Sequence, residues 1–254
     1  MAALAQAPRR KFGPFALLRI ALRILSMLAL LLACVPLYYL FALLRLHNPW
    51  PRIFLGGIAW IAGVDVRVSG ERPRRGAFLI SNHVSWIDIP AIAQATGSAF
   101  VGHDGLASTP LLKHLCAMND TVFIARHDRT SVHQQVEDIR RAIRDTGALT
   151  IFPEGTTSDG TGLLPFKSSL LSALEPVPEG ISVVPVLLDF GPEAASIAWV
   201  GEEHGVDNFL RILARRRPVR LTVHFLPALT GEQVRDRKAM ASAARHALLN
   251  ALQA

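Results

Sequence analysis

The pattern of apolar and polar positions divides the chain at about residue 64. From Ile24 to Leu44 no residue carries a charge, and the run is long enough to cross a bilayer as a helix. A second apolar patch, Ile53–Val64, follows a turn at Asn48-Pro49-Trp50-Pro51 and is too short to span comfortably. A helical hairpin dipping into one leaflet fits both segments as well as a single span does. Tyr38, Tyr39, Trp50 and Trp60 suit the boundary between hydrocarbon and water. A buried helix pair in a soluble protein is the alternative. No small-residue cleavage site follows the run, so it is not read as a cleaved signal peptide. Arg19 and Arg23 precede it and Arg45 and Arg52 follow it, so flanking charge gives no orientation.

Beyond residue 64 the period changes. Val64–Val68 alternates with period two, and Ala77–Ile80, Ala99–Val101, Thr121–Ala125, Leu149–Phe152, Val183–Leu188, Ile197–Val200 and Val219–Phe225 are short apolar runs expected to be strands. Between them Thr130–Arg144 predicts an amphipathic helix with Val132, Val136, Ile139 and Ile143 on one face and Thr130 or Ser131 as cap. Glu232–Leu252 predicts a C-terminal helix. Strands alternating with helices imply an α/β fold, a largely parallel sheet flanked by helices, here with an N-terminal membrane-embedded helical hairpin. Residues 1–63 are read as a basic tail and membrane-associated helices, and residues 64–254 as one α/β domain.

Composition narrows the partners. The chain has 254 residues, half of them hydrophobic, and a formal charge of +7. A basic, apolar-rich chain suits anionic lipid or an acidic carrier protein. Nucleic acid is not expected, because the cations are scattered and no recognition motif or aromatic ladder accompanies them. Cys34 and Cys116 show no metal-ligand spacing and read as plain thiols. The histidines lack paired-ligand spacing, so no metal site is expected.

Two segments carry candidate chemistry. In Asn82-His83-Val84-Ser85-Trp86-Ile87-Asp88 a carboxylate follows a histidine by five positions. In a regular helix the two would diverge. They meet if His83 sits in the loop after Ala77–Ile80 and Asp88 in the first turn of the next helix, with Ser85 as N-cap. Asp88 would then fix the imidazole tautomer and leave the other nitrogen to take a proton from an alcohol. Ser85-x-x-Asp88 also fits a plain capping box beside a polar histidine, and spacing alone leaves both open.

The second segment, Phe152-Pro153-Glu154-Gly155-Thr156-Thr157-Ser158, ends an apolar strand in a turn rich in hydroxyls. Gly155 permits close backbone approach, and the hydroxyls can donate to an oxyanion or phosphate. Glu154 would repel phosphate and better binds a hydroxyl or orients a cation. An ordinary polar turn is the alternative. Arg126 and Lys167 each end an apolar run, at the sheet rim where ligands of open α/β sheets bind, or they are solvated surface charges. There is no G-x-S-x-G elbow and no P-loop. Attack by a substrate hydroxyl on an activated acyl group, assisted by His83, needs no enzyme nucleophile.

The order Asn82-His83-x-x-x-x-Asp88, Val122-Phe123-Ile124-Ala125-Arg126, Phe152-Pro153-Glu154-Gly155-Thr156 and Val184-Pro185-Val186 resembles the four blocks of glycerolipid acyltransferases, across roughly residues 60–230. The resemblance implies that His83 is the general base and Asp88 its orienter. It implies that Asn82, Arg126, Glu154, Gly155, Thr156, Thr157 and Lys167 bind substrate, with Val184-Pro185-Val186 shaping an acyl-chain or acceptor channel. It further implies acyl-CoA or acyl-carrier protein as donor, no cofactor, and a catalytic domain on the cytoplasmic face of the inner membrane.

Lysophosphatidate (1-acylglycerol-3-phosphate) stands first as acceptor on family frequency, giving phosphatidic acid. In many such enzymes an arginine follows Glu-Gly-Thr, whereas here the position is Thr157. The run Glu154–Gly160 looks similar to acyltransferases of lyso-ornithine lipid or other lysophospholipids. A membrane esterase, which would need a nucleophile, and a non-catalytic lipid-binding protein are the rivals from other classes.

Overall fold

The computed structural model describes residues 12–103, 110–124 and 132–253. Helix α1, Pro14–Leu43, opens with proline in its first turn and runs on through leucine and alanine, good helix formers that lose little rotamer freedom. It begins ten residues before the uncharged run and is long and apolar enough to cross a membrane by length and composition. Helix α2, Trp50–Ala62, takes in Trp50 and Pro51, which the sequence placed in a turn. Proline in the first helical turn forfeits no hydrogen bond, because those N–H groups have no intrahelical partner. The two helices pack closely at Gly57, where an added Cβ would lie 2.5 Å from Leu30 Cδ2.

Seven strands follow among the described residues: β1 Val64–Ser69, β2 Ala77–Ser81, β3 Ala99–His103, β4 Val122–Ile124, β5 Ala148–Ile151, β6 Ser182–Asp189 and β7 Val219–Phe225. They form one sheet in the order β1-β7-β6-β2-β5-β3-β4. Every pairing is parallel except β6 with β7, so the largely parallel sheet is as expected. The side-chain period of two sends Leu79, Val184 and Val186 to one face and Phe78, Ile80 and Val183 to the other. Helices α2, α3 (Asp88–Thr96) and α7 (Gly205–Leu213) pack on the first face. Helices α5 (Val132–Thr146) and α8 (Arg237–Leu252) pack on the second.

The expected strand Ile197–Val200 is not one. Residues Ala194–Ile197 form the short helix α6 and the chain then runs irregularly. Its carbonyls are taken by side chains: Asn208 donates to Ile197 O and Ala198 O, and Arg211 donates to Ala198 O. A backbone satisfied by side-chain donors needs no ladder. Helix α4, Pro110–Met118, and α7 were not anticipated. The expected caps Thr130 and Ser131, and Ala125, lie outside the described residues.

Helix α1 touches the α/β body along its length. Arg19 and Arg23 donate to Ala214 O and Leu213 O at the end of α7, at 2.6 and 2.9 Å, and Ile20 and Cys34 are buried. Near the other end the Tyr39 hydroxyl hydrogen-bonds His114 Nε2 of α4 at 2.6 Å.

Candidate functional site

Strand β2 stops at Ser81 and α3 starts at Asp88, so the loop between them sits at the carboxyl end of a central strand, where open α/β sheets place their ligand sites. Asp88 is fully buried, and one oxygen, Oδ2, accepts three hydrogen bonds: from Val84 N at 2.6 Å, Ser85 N at 2.9 Å and His83 Nδ1 at 2.7 Å. A carboxylate only accepts, so the proton on the imidazole lies on Nδ1 and Nε2 carries the lone pair. Asp88 Oδ1 has no partner among the described residues. Ser85 is not the helix cap. That position falls to Ile87, which makes no side-chain cap bond, and the fully buried Ser85 hydroxyl donates to Asn208 Oδ1 at 3.1 Å.

The second segment holds His83 by its backbone. Glu154 Oε1 accepts from His83 N at 2.9 Å, and Oε2 accepts from Leu164 N at 2.9 Å. Ser158 donates to His83 O through its N at 2.7 Å and its Oγ at 3.1 Å. The imidazole stacks on Phe152, with ring centres 4.2 Å apart. Burial pushes the Glu154 carboxyl above its usual range, and its two backbone N–H bonds and the nearby His83 work against that rise.

Several expected substrate contacts have other work. Asn82 is buried and pairs through both ends of its amide with the Leu188 backbone of β6, at 3.1 and 2.8 Å. Glu154 is buried on two backbone N–H groups, so the hydrogen bonds of both residues in this structure go to the backbone. Val184, Pro185 and Val186 lie within β6, where Ile80 and Ser81 pair with Pro185 and Val186; none of the three lines the cavity described next. Arg126 lies outside the described residues. Ser158, whose role was missed, could have been found only as a hydroxyl within reach of a free carbonyl.

The remaining candidates converge. A cavity of about 730 Å³ is bounded by α1 and α2 (Leu31, Val35, Phe54), by Phe100 and Phe152, and by His83. That size is within the ordinary range for a ligand site, about 300–1,000 Å³. Gly155, Thr156 and Thr157 line it next to His83, facing a wall made by Trp199, Val200, Gly201 and Glu203. Gly155 adopts φ +69°, and a Cβ there would lie 2.9 Å from Lys167 Nζ, so glycine lets the lysine reach across the turn. Thr157 donates its hydroxyl to Trp199 O. Among the described residues Glu203, held by Arg211 at 2.8 Å, is the single carboxylate in the lining, and no lysine or arginine lines the cavity. Cys34 and Cys116, both free thiols, also line it.

This arrangement offers a base with a free lone pair, an orienting carboxylate, and an apolar chamber ending at that base. Residues 64–189 match the Acyltransferase family. The lyso-ornithine lipid O-acyltransferase of Rhizobium meliloti is 36% identical over 151 residues, which are 59% of this chain and 52% of that protein. The corresponding enzyme of Rhodobacter capsulatus is 28% identical over 91% of this chain and 88% of its own. The 1-acyl-sn-glycerol-3-phosphate acyltransferase of Neisseria gonorrhoeae is 33% identical over 52% of this chain and 53% of its own. The chain thus spans about half the length of the Rhizobium and Neisseria proteins. The crystal structure of the 1-acyl-sn-glycerophosphate (LPA) acyltransferase PlsC from Thermotoga maritima aligns with a TM-score of 0.63 at 18% identity, covering 94% of this chain and 96% of that one. At that identity the likeness is one of fold.

Proposed function

The chain belongs to the glycerolipid acyltransferase family, and from that premise we propose that it transfers a fatty acyl group from acyl-CoA or acyl-carrier protein to a hydroxyl of a lysolipid. The observation that carries this reading is the His83–Asp88 dyad set in the wall of an apolar cavity. The acyl chain of the donor lies in the cavity with its thioester carbonyl beside His83. Nε2 takes the proton of the acceptor hydroxyl as its oxygen attacks that carbonyl. Asp88 stabilises the imidazolium, which returns the proton to the departing thiolate. The products are the acylated lipid and the free thiol.

For the acceptor, lyso-ornithine lipid is favoured, because the enzymes so named in Rhizobium meliloti and Rhodobacter capsulatus are 36% and 28% identical to this chain. Its head group lies between the Thr156-Thr157 hydroxyls and the Trp199–Glu203 wall. Lys167, beside Gly155, offers a cation to the ornithine carboxylate, while the Glu203 carboxylate is already held by Arg211. Lysophosphatidate is the second reading, favoured by Lys167, which meets a phosphate as readily as a carboxylate. The test is a parallel assay of both lysolipids with each donor. Faster acylation of lyso-ornithine lipid supports the first reading, and faster acylation of lysophosphatidate replaces it with the second.

Two predictions follow from the chamber and its helices. Val35→Trp fills the cavity from α1, so turnover with long-chain donors is expected to fall while short-chain donors are still used, which a chain-length series of acyl-CoA measures.

The same proposal places residues 1–63 at the membrane and residues 64–254 outside it. Leu18, Leu22, Leu25 and Leu32 are 57, 56, 60 and 66% exposed along one side of α1. The contacts of α1 with α7 and α4 near its two ends support a helix lying in one leaflet with its leucines in hydrocarbon over one standing across the bilayer. The cytoplasmic face of the inner membrane is the side where both donors occur. Changing Leu22, Leu25 and Leu32 together to Glu is expected to release the protein from vesicles in a flotation assay, since each buried leucine contributes about 1.5–3 kcal/mol.

A further inference from the structure

The family match ends at residue 189, yet the wall facing Thr157 is built by residues beyond it, and what holds that wall is the side chain of a residue on α7. We propose that Asn208 is a positioning residue for acyl transfer, tying the loop that carries His83 to the Trp199–Glu203 wall on the acceptor side. The inference rests on the acyl-transfer reading given above.

Asn208 and Ser85 are both fully buried. Asn208 Oδ1 accepts from Ser85 Oγ at 3.1 Å, two residues from His83. Its Nδ2 donates to Glu203 Oε2 at 2.9 Å, to Ala198 O at 3.2 Å and to Ile197 O at 3.4 Å. A carboxamide offers two N–H bonds and one acceptor oxygen, and here the partners are Ser85 in the His83 loop and the segment from the last residue of α6 to Glu203, none of them in the sheet. The joint is reinforced from both sides. Trp199 N donates to Val84 O at 2.9 Å, its carbonyl accepts from Thr157, and its indole Nε1 donates to Glu203 O at 2.7 Å. Arg211, one turn along α7, grips both oxygens of Glu203 at 2.8 Å and Ala198 O at 2.9 Å.

A stabilising asparagine could sit anywhere in the core. This one sits where a small displacement moves the acceptor wall relative to the base, and leaves untouched the α1–α2 side of the cavity that faces the acyl chain. Misplacement of reacting groups by about 1 Å can cost a hundredfold in rate. Asn208→Asp keeps the size and the oxygen facing Ser85, but turns a second oxygen toward three acceptors. Ser85→Ala is the milder variant, because it cuts only the link to the His83 loop.

The test measures kcat and separate KM values for lysolipid and acyl-CoA in vesicles containing the full chain. It is paired with the ¹⁹F spectrum of 5-fluorotryptophan-labelled protein, with the Trp199 line assigned by Trp199→Phe. For Asn208→Asp the acceptor KM is expected to rise about tenfold or more while the donor KM changes less than about twofold, and the Trp199 line moves. Ser85→Ala shifts both readouts in the same direction by less, and carries the test if Asn208→Asp does not fold. An unchanged acceptor KM with an unmoved Trp199 line overturns the proposal. So do acceptor and donor KM rising together, as a merely structural role would give. A wild-type protein that acylates no lysolipid defeats the acyl-transfer reading, and the Trp199 line then decides whether the joint exists.

Discussion

Replacing His83 by alanine is expected to lower acyl-transfer turnover by about a hundredfold or more, the usual contribution of a positioned general base, with the fold and membrane attachment intact. The loop owes its shape to backbone anchors that alanine keeps: His83 N on Glu154, and His83 O on Ser158 N and Oγ. The ring itself contributes the bond to Asp88 and the stack on Phe152, and it stands 18% exposed at the cavity. Its removal therefore takes away the base without loosening the frame. Turnover measured beside thermal unfolding and vesicle flotation checks this. Near-normal turnover in a folded His83→Ala protein would remove the histidine from the mechanism.

Asp88→Ala is expected to do more damage, and Asp88→Asn less. Alanine abandons three donors at once: the imidazole Nδ1–H and the N–H groups of Val84 and Ser85. Two buried N–H groups left unpaired cost about 1–3 kcal/mol each. The imidazole also loses both its tautomer and its orientation, so turnover should fall by about as much as in His83→Ala, a hundredfold or more, with stability lost as well.

Asparagine behaves differently because of an asymmetry in the site. All three donors converge on Oδ2, while Oδ1 has no partner among the described residues. An asparagine can set its oxygen at the Oδ2 position, keep the three bonds and keep the tautomer, with its amide nitrogen at the vacant position. What it loses is the negative charge that stabilises the imidazolium. A charge-assisted hydrogen bond is about twice as strong as a neutral one, so a loss of about tenfold to a hundredfold is expected, with stability closer to wild type. Steady-state kinetics and thermal unfolding of the two variants side by side give the comparison. Equal losses in both would mean that Asp88 serves only through its charge.

The sheet was legible because its central strands are buried on both faces and read as uninterrupted apolar runs, as in β2 and β6. The His83–Asp88 contact was one of two readings that the spacing left open, because five positions across a loop-to-helix boundary allow a meeting that a regular helix forbids. Less legible was the direction of the polar side chains. Asn82 and Glu154 belong to the same blocks as His83 and Thr156, but their partners are backbone groups of Leu188, His83 and Leu164. A residue type in a motif does not say whether it faces a ligand or a carbonyl. Ile197–Val200 misled for a related reason, since its strand-like residues are satisfied by side chains of α7 that lie ten or more positions away. That wall and Asn208 behind it depend on tertiary contact alone, and no local pattern marks them.

The most direct measurement of the central claim follows released thiol and acylated lipid together, in vesicles carrying the protein, with labelled acyl-CoA or acyl-carrier protein and with lysolipid present or withheld. Direct attack by the acceptor hydroxyl predicts equal amounts of thiol and acylated lipid, both dependent on lysolipid and both lost in His83→Ala. Thiol release at the same rate without lysolipid, or no acylated lipid from any lysolipid with either donor, would contradict it.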